Sequence, residues 1–409
     1  MKSYRINRLR KSRGDVPPGF ESLECYDEDS HLTELLVPAG VAQRQVQEIA
    51  PPEKAVAPVP AAPKTLAPAP PVDRKGEFHV TLPEEQYWRE PAGASMAAVW
   101  DWEMLSDLVE HHNAGHGSAD SQDRRRMTTM LRKMVSDGPW RPIGFPPGED
   151  RDGLLRELRD ELGHMPGLVD AVAASITRAA TSGLPFRLGP LLLVGEPGTG
   201  KSYAARRLAE ILGLQLRLID MAAQQTNSYL HGSDKHWGNA APGALFELLI
   251  LGAHANPLIV LDEIDKAATR SNFDPLTPLY SALEASSAKL TKDMCIPATF
   301  DASHVSYIAT ANSLRGLPMP LLSRFELIHC VPPGPRESLQ MARRVWDQVA
   351  RKFALEGTPP RAVLVCLAEF PPRRMVQMLE RAVARMQLAG RRQVALRDVE
   401  MSYEAREVH

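Results

Sequence analysis

The residues with the clearest chemical potential run from Gly195 to Ser202, Gly-Glu-Pro-Gly-Thr-Gly-Lys-Ser. They match an eight-position phosphate-binding pattern, the P-loop. The glycines let the backbone turn tightly, so that several N–H groups can point at one set of phosphate oxygens. We expect Lys201 to place its ammonium group on the outer phosphates of a nucleotide, and Ser202 to ligate Mg²⁺ through its hydroxyl.

The sequence on both sides of this loop supports that interpretation. Leu191–Val194 is an apolar run typical of a buried strand, and the segment from Lys201 to Leu212 has a helical pattern. The positive N-terminal end of that helix would face the phosphates. The residues that we expect to contact the nucleotide are Gly195, Glu196, Pro197, Gly198, Thr199, Gly200, Lys201, Ser202 and Tyr203.

Two acidic residues follow a second apolar run. Leu258–Leu261 reads as a strand, and Asp262 and Glu263 come directly after it. A carboxylate at a strand end beside the P-loop can hold Mg²⁺ through its water shell, which is the role we predict for Asp262. Glu263 points in another direction and can polarise the attacking water, so it is the predicted catalytic base. For Asp265 we expect only a helix cap or a pair with Lys266.

A third strand, from Ser306 to Thr310, precedes Asn312. An amide at that position can hydrogen-bond to the γ-phosphate and to the attacking water, whereas Asn312 taken alone would read as a turn residue. The chain has no Asn-Lys-x-Asp stretch, so guanine recognition has no support. The predicted cofactors are therefore ATP and Mg²⁺.

The elements that must position these residues are short apolar strands alternating with helices. The candidate strands, which are typical of a buried parallel sheet, are Leu191–Val194, Leu214–Ile219, Leu258–Leu261 and Ser306–Thr310. After Pro335 the strands stop. Three helices are predicted there, at Glu337–Ala354, Arg361–Glu369 and Arg373–Ala389. The expected fold class is α/β, followed by a small all-α unit.

These patterns divide the chain into five parts. We predict a mostly disordered segment over 1–50, a Pro/Ala-rich linker over 51–75, and a helical or mixed region of unknown role over 76–147. The α/β nucleotide-binding domain is expected over 148–335, and the all-α lid domain over 336–409. Within the third part, the apolar spacing of Met96–His112 predicts a helix.

Composition excludes several classes of protein. The chain has 409 residues, 48 basic and 50 acidic side chains, and a formal net charge of −2. That balance excludes a general polyanion binder. No run of 18 uncharged apolar residues exists, so no membrane span is expected. The four cysteines lie far apart without a Cys-x-x-Cys pair, which favours reduced thiols and a cytoplasmic location.

This set of motifs, in this order, resembles the AAA+ ATPases, and it is most similar to the ATPase module of Lon-type proteases. The similarity runs from about Gly189 through Val331, and more weakly to Val399. In the segment Gly316–Glu326, Arg324 takes the position of the family's arginine finger. The resemblance implies that this guanidinium reaches the ATP of a neighbouring subunit in a homo-oligomeric ring, usually a hexamer. Taken alone, Arg324 would read as a surface ion-pair partner.

Two further roles rest on the same resemblance. In the family, an arginine at the start of a lid-domain helix contacts the nucleotide. Here Arg374 has the better spacing to the apolar residues of that helix, and Arg373 is the alternative. A third interpretation is that both arginines belong to a solvated helix start. Trp237 occupies the place of the central-pore loop, where the family usually carries a tyrosine. A flat aromatic there can grip an extended chain, although Trp237 could instead pack in the core, and Tyr229 is a weaker candidate.

The resemblance implies a Lon-like motor that hydrolyses ATP and remodels or threads a protein client. Lon-type proteases continue into a serine–lysine protease domain, for which we expect no room after residue 399, so the expectation is an ATPase and not a protease. One alternative is an ATPase that acts on nucleic acid through the basic arm Lys2–Arg13. A nucleotide-dependent assembly scaffold is the other, and the presence of Glu263, Asn312 and Arg324 counts against it.

Overall fold

The computed structural model describes residues 20–26, 32–38, 78–91, 95–115, 121–144, 151–182, 185–233, 240–267, 274–355 and 357–404. The chain divides into two compact units, Met1–Lys64 and Thr65–His409. The second unit contains every residue with a predicted role in chemistry, and its centre is a parallel sheet.

Strands are numbered in chain order. They are β1 (Phe20–Tyr26), β2 (Leu32–Pro38), β3 (Met96–Ala98), β4 (Trp140–Pro142), β5 (Leu191–Val194), β6 (Leu216–Asp220), β7 (Leu258–Asp262), β8 (Thr291–Lys292), β9 (Thr299–Phe300), β10 (Ser306–Ala311) and β11 (Glu326–His329). Five of them form the central sheet in the order β11-β5-β10-β7-β6, and every pair in it is parallel. The predicted buried parallel sheet is confirmed, and its fifth strand, β11, was not predicted.

The helices flank this sheet or follow it. They are α1 (Trp102–Asn113), α2 (Ser121–Asp137), α3 (Arg151–Leu162), α4 (Pro166–Ser182), α5 (Lys201–Ile211), α6 (Ser228–His231), α7 (Ala244–Leu249), α8 (Leu279–Ala282), α9 (Ala285–Ala288), α10 (Met319–Leu322), α11 (Pro335–Phe353), α12 (Arg361–Ala368), α13 (Pro372–Leu388) and α14 (Leu396–Glu404). Short 3₁₀ turns lie at Glu85–Tyr87 and Ile264–Lys266.

The sheet separates two hydrophobic cores because successive side chains of a strand point to opposite faces. In β7, Ile259 and Leu261 belong to one core, whereas Leu258 and Val260 belong to the other. All four side chains are fully buried. Strands covered on both faces need a continuous apolar run, which explains why these strands were recognisable in the sequence.

The region from Phe78 to Gly144 packs onto the first of these cores. Trp100 and Leu105 lie in the same cluster as the β7 side chains. Asn256 joins the two parts, because its side chain accepts from the N–H of Gly144 (2.7 Å) and donates to the carbonyl of the same residue (3.0 Å). This region is therefore continuous with the nucleotide-binding core in its packing.

The helix predicted over Met96–His112 is shorter than expected. Met96–Ala98 forms β3 and pairs antiparallel with β4. The helix begins after Asp101, whose carboxylate accepts from the N–H of Met104 at 2.8 Å. That side chain satisfies one of the free N–H groups of the first turn and so fixes the start of the helix.

The four helices from α11 to α14 have a core of their own. It includes Trp346, Leu379 and Val399, all of them buried. Arg344 of α11 ties this helical part to the α/β part, since it donates to the carbonyl oxygens of Asp160 and Glu161 at the end of α3. The C-terminal helices were predicted except for α14.

The first unit contains β1 and β2, which pair antiparallel with Leu23 opposite Leu35. The sequence did not predict these two strands within the segment 1–50. The predicted linker over 51–75 lies outside the described residues. In the part of the chain that the structure describes, no helix is both long enough and apolar enough to cross a membrane.

Candidate nucleotide-binding site

The P-loop connects β5 to α5, and its backbone adopts conformations that favour glycine. Gly198 and Gly200 both have φ of 88°, in the left-handed region where a side chain is strained. Gly195 is required for a different reason. A β-carbon at Gly195 would collide with the carbonyl oxygen of Cys330, just beyond the end of β11. The tight turn expected from the sequence is therefore imposed by both dihedral angles and packing.

Lys201 is buried at the first position of α5, with 7% of its surface exposed. Its ammonium donates to the carbonyl oxygens of Gly195 (2.7 Å) and Glu196 (2.9 Å), and to the side-chain oxygen of Asn312 (3.1 Å). Burial lowers the pKa of Lys201, and the Cys330 thiol and nearby carboxylates oppose that shift. The amine thus lies inside the loop, partly desolvated, and it is hydrogen-bonded to oxygens of the loop and of Asn312.

The two predicted magnesium ligands, Ser202 and Asp262, also lie together. The hydroxyl of Ser202 donates to Oδ1 of Asp262 at 2.6 Å, although the two residues are 60 positions apart. The hydroxyl of Thr310 donates to the same oxygen, also at 2.6 Å. The candidate magnesium ligands are therefore neighbours at one edge of the sheet, although β10 separates β5, which leads into the P-loop, from β7, which ends at Asp262.

Glu263 follows β7 in an unusual backbone conformation. Its φ and ψ are 54° and 48°, the left-handed region, which costs a non-glycine residue about 1–2 kcal/mol. Its N–H donates to the hydroxyl of Thr310 at 3.0 Å. The side chain is exposed. The turn therefore leaves the Glu263 side chain exposed, one residue past the end of β7.

Asn312 and Asp265 lie together beside this turn. The backbone N–H of Asn312 donates to Oδ2 of Asp265 at 3.2 Å. The prediction that Asp265 caps a helix or pairs with Lys266 is wrong, because the carboxylate instead fixes the loop that carries Asn312. The other oxygen of Asp265 is buried and has no hydrogen-bond partner among the described residues.

Two more segments approach the P-loop. A β-carbon at Gly198 would lie 3.2 Å from Cβ of Pro371, at the start of α13, and one at Gly200 would lie 3.8 Å from Nε2 of His164, between α3 and α4. Burial lowers the pKa of His164, and Arg344 adds to the shift. The loop therefore lies between the α/β part and the lid helices.

The other predicted contacts of the loop are less central. Thr199 is buried, and its hydroxyl donates to the carbonyl of Glu196 at 3.0 Å, within the loop itself. Tyr203 is 43% exposed on α5. Pro197 is exposed at the tip of the turn.

Arg324 contacts other parts of its own chain. Its guanidinium donates to the carbonyl oxygens of Pro320 (2.7 Å) and Tyr280 (3.2 Å) and lies 3.5 Å from a carboxylate oxygen of Glu284. It also lies over the Tyr280 ring, 5.4 Å from the centroid. Among the described residues, no hydrogen bond or ion pair joins Arg324 to the P-loop of the same chain.

The lid arginines differ in exposure. Arg374 is partly buried, with its guanidinium carbon 5.1 Å from the centroid of the Phe370 ring, whereas Arg373 is exposed. Trp237 lies outside the described residues. Tyr229, the weaker candidate for a pore contact, packs against the core and donates to the carbonyl of Pro275 at 3.0 Å. Its packing is that of a core residue.

Thr310 and Asp265 are the contributors that sequence reasoning missed. Asp265 stands two residues after Glu263, which was a signal of a longer acidic motif. Thr310 is the single hydroxyl in the apolar stretch Ile308–Ala311, and a buried hydroxyl in such a run signals a hydrogen bond to another element.

The donor set fits Mg²⁺. A hydroxyl and a carboxylate are hard oxygen ligands, and Mg²⁺ is usually bound by one or two such groups together with phosphate oxygens and water. Within the described ranges there is no cluster of three or more His, Cys, Asp or Glu residues that could hold a metal by itself. Ser202 and Asp262 would therefore hold a metal that arrives with its nucleotide.

Comparisons with known proteins agree with this geometry. The family model for "ATPase family associated with various cellular activities (AAA)" matches residues 191–333. A peroxisomal Lon protease homolog 2 from Oryza sativa subsp. indica is 28% identical over 274 residues, which cover 65% of this chain and 30% of that protein. The Lon protease of Brevibacillus choshinensis is 36% identical over 156 residues, 38% of this chain and 20% of its own.

Among solved structures, the RuvB Holliday junction branch migration motor of Thermotoga maritima aligns at a TM-score of 0.42 and 17% identity, covering 61% of this chain and 70% of that one. The curated relatives are much longer than the region that they share with this chain. That region spans 30% or less of the length of each of these two relatives. Residues 191–333 match the model of the AAA ATPase family, and over this region the chain resembles the ATPase module of Lon proteases.

Proposed function

We propose that this protein is a Mg²⁺-dependent ATPase that assembles into a homo-oligomeric ring and uses ATP hydrolysis to remodel or thread a protein client. One observation carries the proposal. The P-loop Lys201 and Ser202 contact Asn312 and Asp262, which come from two other strands, at 3.1 and 2.6 Å. A structural glycine turn would have no reason to gather these side chains at one sheet edge.

Each residue then has a defined task. The P-loop N–H groups and the Lys201 ammonium hold the phosphates, while Ser202 and Asp262 orient the metal, which supplies charge neutralisation on the phosphate oxygens when bound. Glu263 accepts a proton from the attacking water, and the Asn312 amide orients that water against the terminal phosphate. Positioning and electrostatics provide most of the rate enhancement in phosphoryl transfer.

The role proposed for Arg324 requires a second subunit. Its guanidinium is partly exposed, and its ion pair with Glu284 is long, at 3.5 Å. Such a pair contributes little stability in an exposed setting. An arginine that stabilises the developing charge on the γ-phosphate of a neighbouring subunit would make hydrolysis depend on assembly. A hexamer is the ring size that the family resemblance suggests, and a cytoplasmic location remains a prediction.

The decisive test is the variant Glu263→Gln. The exchange keeps the shape of the side chain and removes its basicity, so we expect nucleotide affinity within about threefold of the unaltered protein and turnover at least about a hundredfold lower. Steady-state phosphate release and binding of a fluorescent ATP analogue measure the two quantities. Glu326→Gln, at an exposed position of β11, is the matched control and should retain turnover.

The same variant tests the client. Glu263→Gln loaded with ATP should retain bound client, which affinity capture followed by mass spectrometry would identify. Turnover of the unaltered protein should rise on addition of an unfolded polypeptide. Stimulation by DNA or RNA alone would replace the protein-remodelling proposal with a nucleic-acid function, and normal turnover in Glu263→Gln would remove this residue from the mechanism.

A further inference from the structure

Thr310 lies in the middle of the central sheet. It belongs to β10, which pairs with β5 on one side and β7 on the other, and it is 1% exposed. Its neighbours in the strand are apolar. A hydroxyl in such a place is costly to bury unless its hydrogen-bonding capacity is used. An apolar side chain at position 310 would pack in this strand without that cost. The hydrogen bonds of the Thr310 hydroxyl therefore indicate its role.

That hydroxyl connects the two consecutive acidic residues of the site. It donates to Oδ1 of Asp262 at 2.6 Å and accepts from the N–H of Glu263 at 3.0 Å. The direction of both bonds is fixed, because a hydroxyl has one proton and the carboxylate can only accept it. The Thr310 hydroxyl therefore donates its proton to Asp262, the proposed metal-binding residue. With a lone pair it accepts from the backbone N–H of Glu263, the proposed base.

Each bond constrains a different feature. The bond to Glu263 holds the N–H of a residue with φ of 54°, a conformation that persists only when its surroundings enforce it. The bond to Asp262 places Oδ1 between two hydroxyls, since Ser202 donates to the same oxygen. No hydrogen bond from a described residue reaches Oδ2, which leaves that oxygen for the water shell of the metal.

We infer that Thr310 is a positioning residue for hydrolysis: it orients the Asp262 carboxylate towards the metal and holds the Glu263 backbone in the turn that directs the catalytic carboxylate to the attacking water. This inference rests on the proposed ATPase function and adds a residue that acts through two others. Thr310 affects turnover and does not take part in holding the phosphates, which is the task of the P-loop.

The test compares three variants. Thr310→Val keeps the branched shape and removes the hydroxyl, Thr310→Ser keeps the hydroxyl, and Thr310→Ala is the second deletion should the valine variant fold poorly. Thr291→Val is the matched control. Thr291 is also a buried β-strand threonine, whose hydroxyl donates to the carbonyl of Ala288, and that carbonyl accepts a second bond from the N–H of Ala302.

Three measurements separate a positioning role from a structural one: thermal unfolding, affinity for ATP in the presence of EDTA, and kcat and KM for Mg-ATP. We expect Thr310→Val and Thr310→Ala to lose at least about tenfold in kcat. Their Mg-free ATP affinity should change by less than about threefold, because the P-loop amides and Lys201 are untouched. Thr310→Ser should recover most of the turnover, and Thr291→Val should match the unaltered protein.

Two results would overturn the inference. Turnover of Thr310→Val or Thr310→Ala within about twofold of the unaltered protein would show that the hydroxyl does not position the site. Equal losses of turnover in Thr310→Ser and Thr310→Val would show that strand packing matters and the hydroxyl does not. A lack of ATP binding and turnover in the unaltered protein is a separate result, which would remove the proposed ATPase function together with this inference.

Discussion

At the scale of single residues, the site depends on polar groups that are far apart in sequence and adjacent in space. Lys201 and Asn312 are separated by 111 positions, yet the ammonium nitrogen and the amide oxygen are 3.1 Å apart. The lysine is buried, and burial lowers its pKa. A desolvated amine inside a glycine-rich loop is a candidate contact for an anionic ligand.

Replacing Lys201 with alanine should therefore affect ligand binding more than stability. The exchange removes a desolvated charge together with its bonds to two loop carbonyls, so we expect a modest change in the free energy of unfolding. Affinity for ATP should fall by about a hundredfold, as expected for the loss of a charge-assisted phosphate contact. Isothermal titration calorimetry measures the affinity, and Lys289→Ala, at an exposed position, serves as the control. Unchanged ATP binding in Lys201→Ala would contradict the assignment of the P-loop.

At the scale of elements, the P-loop is shaped by its contact with the end of β11. The N–H of Gly195 donates to the carbonyl of Ala311 at 3.2 Å, and its α-carbon lies against the carbonyl of Cys330. The two neighbours of β5 in the sheet thus determine where the loop starts. A loop fixed by strands on both sides presents its N–H groups at a defined place.

Gly195→Ala should disrupt this contact. The added methyl group would collide with backbone atoms, which cannot move aside as a side chain can, so we expect a loss of about 1–3 kcal/mol of stability and of most ATP affinity. Gly189→Ala is the comparison, since a β-carbon there meets nothing within 4 Å. Chemical denaturation and ATP titration of both variants check the prediction, and equal behaviour of the two would disprove it.

The lid helices contain a hydrogen-bonded ion pair between Arg391 and Asp398. Asp398, which is buried in α14, accepts two bonds from Arg391 (2.6 and 2.8 Å) and one from the N–H of Ala395 (2.8 Å). Hydrogen bonding to Arg391 lowers the pKa of Asp398, and burial opposes that shift. A lowered carboxyl pKa stabilises the folded state above the unfolded pKa of about 4, and this stabilisation is lost as the pH falls through the folded value.

Asp398→Asn should therefore destabilise the protein in a pH-dependent way. At pH 7 we expect a loss of about 1–3 kcal/mol in the free energy of unfolding, because a charge-assisted bidentate pair is removed. The difference from the unaltered protein should shrink below about pH 4, where the native carboxylate also becomes protonated. Urea unfolding followed by circular dichroism at several pH values measures this, with Glu400→Gln at an exposed position as the control. A difference independent of pH would exclude the charge as its cause.

At the scale of the whole molecule, the predicted arginine finger, Arg324, contacts parts of its own chain other than the P-loop. Within the described residues, Arg324 bonds to Tyr280 and Pro320 and not to the P-loop of its own chain. An arginine displayed at the surface can act on a second copy only when subunits pack correctly. Hydrolysis would then depend on assembly.

Arg324→Ala should retain ATP binding and lose at least about a hundredfold in turnover. The specific activity of the unaltered protein should increase with protein concentration over the range in which the oligomer forms, as measured by phosphate release and mass photometry. Mixing inactive Arg324→Ala with inactive Glu263→Gln should restore part of the activity, because each subunit supplies what the other lacks. Arg381→Ala is the exposed control. No recovery on mixing would argue against an arginine supplied in trans.

The predictions from sequence were wrong or incomplete where pairing with a distant part of the chain determines the local conformation. β11 is a short edge strand with exposed glutamate and histidine at its ends, so it lacks the apolar run that identified β5 and β7. The run Met96–His112 has apolar residues at helical spacing, yet its first three residues, Met96–Ala98, pair with β4. The helix then starts only where Asp101 can cap it. In both cases pairing with a distant strand determined the conformation, and distant pairing leaves no local signal.

The sequence alone determined the phosphate-binding loop, the two acids after a buried strand and the parallel character of the sheet, because these features depend on local backbone needs and on burial of both strand faces. Only the tertiary structure revealed that Thr310 joins Asp262 to Glu263, that Asp265 fixes Asn312, and that Gly195 must be glycine on account of Cys330. These contacts join residues distant in the chain, and the order of strands in the sheet brings them together.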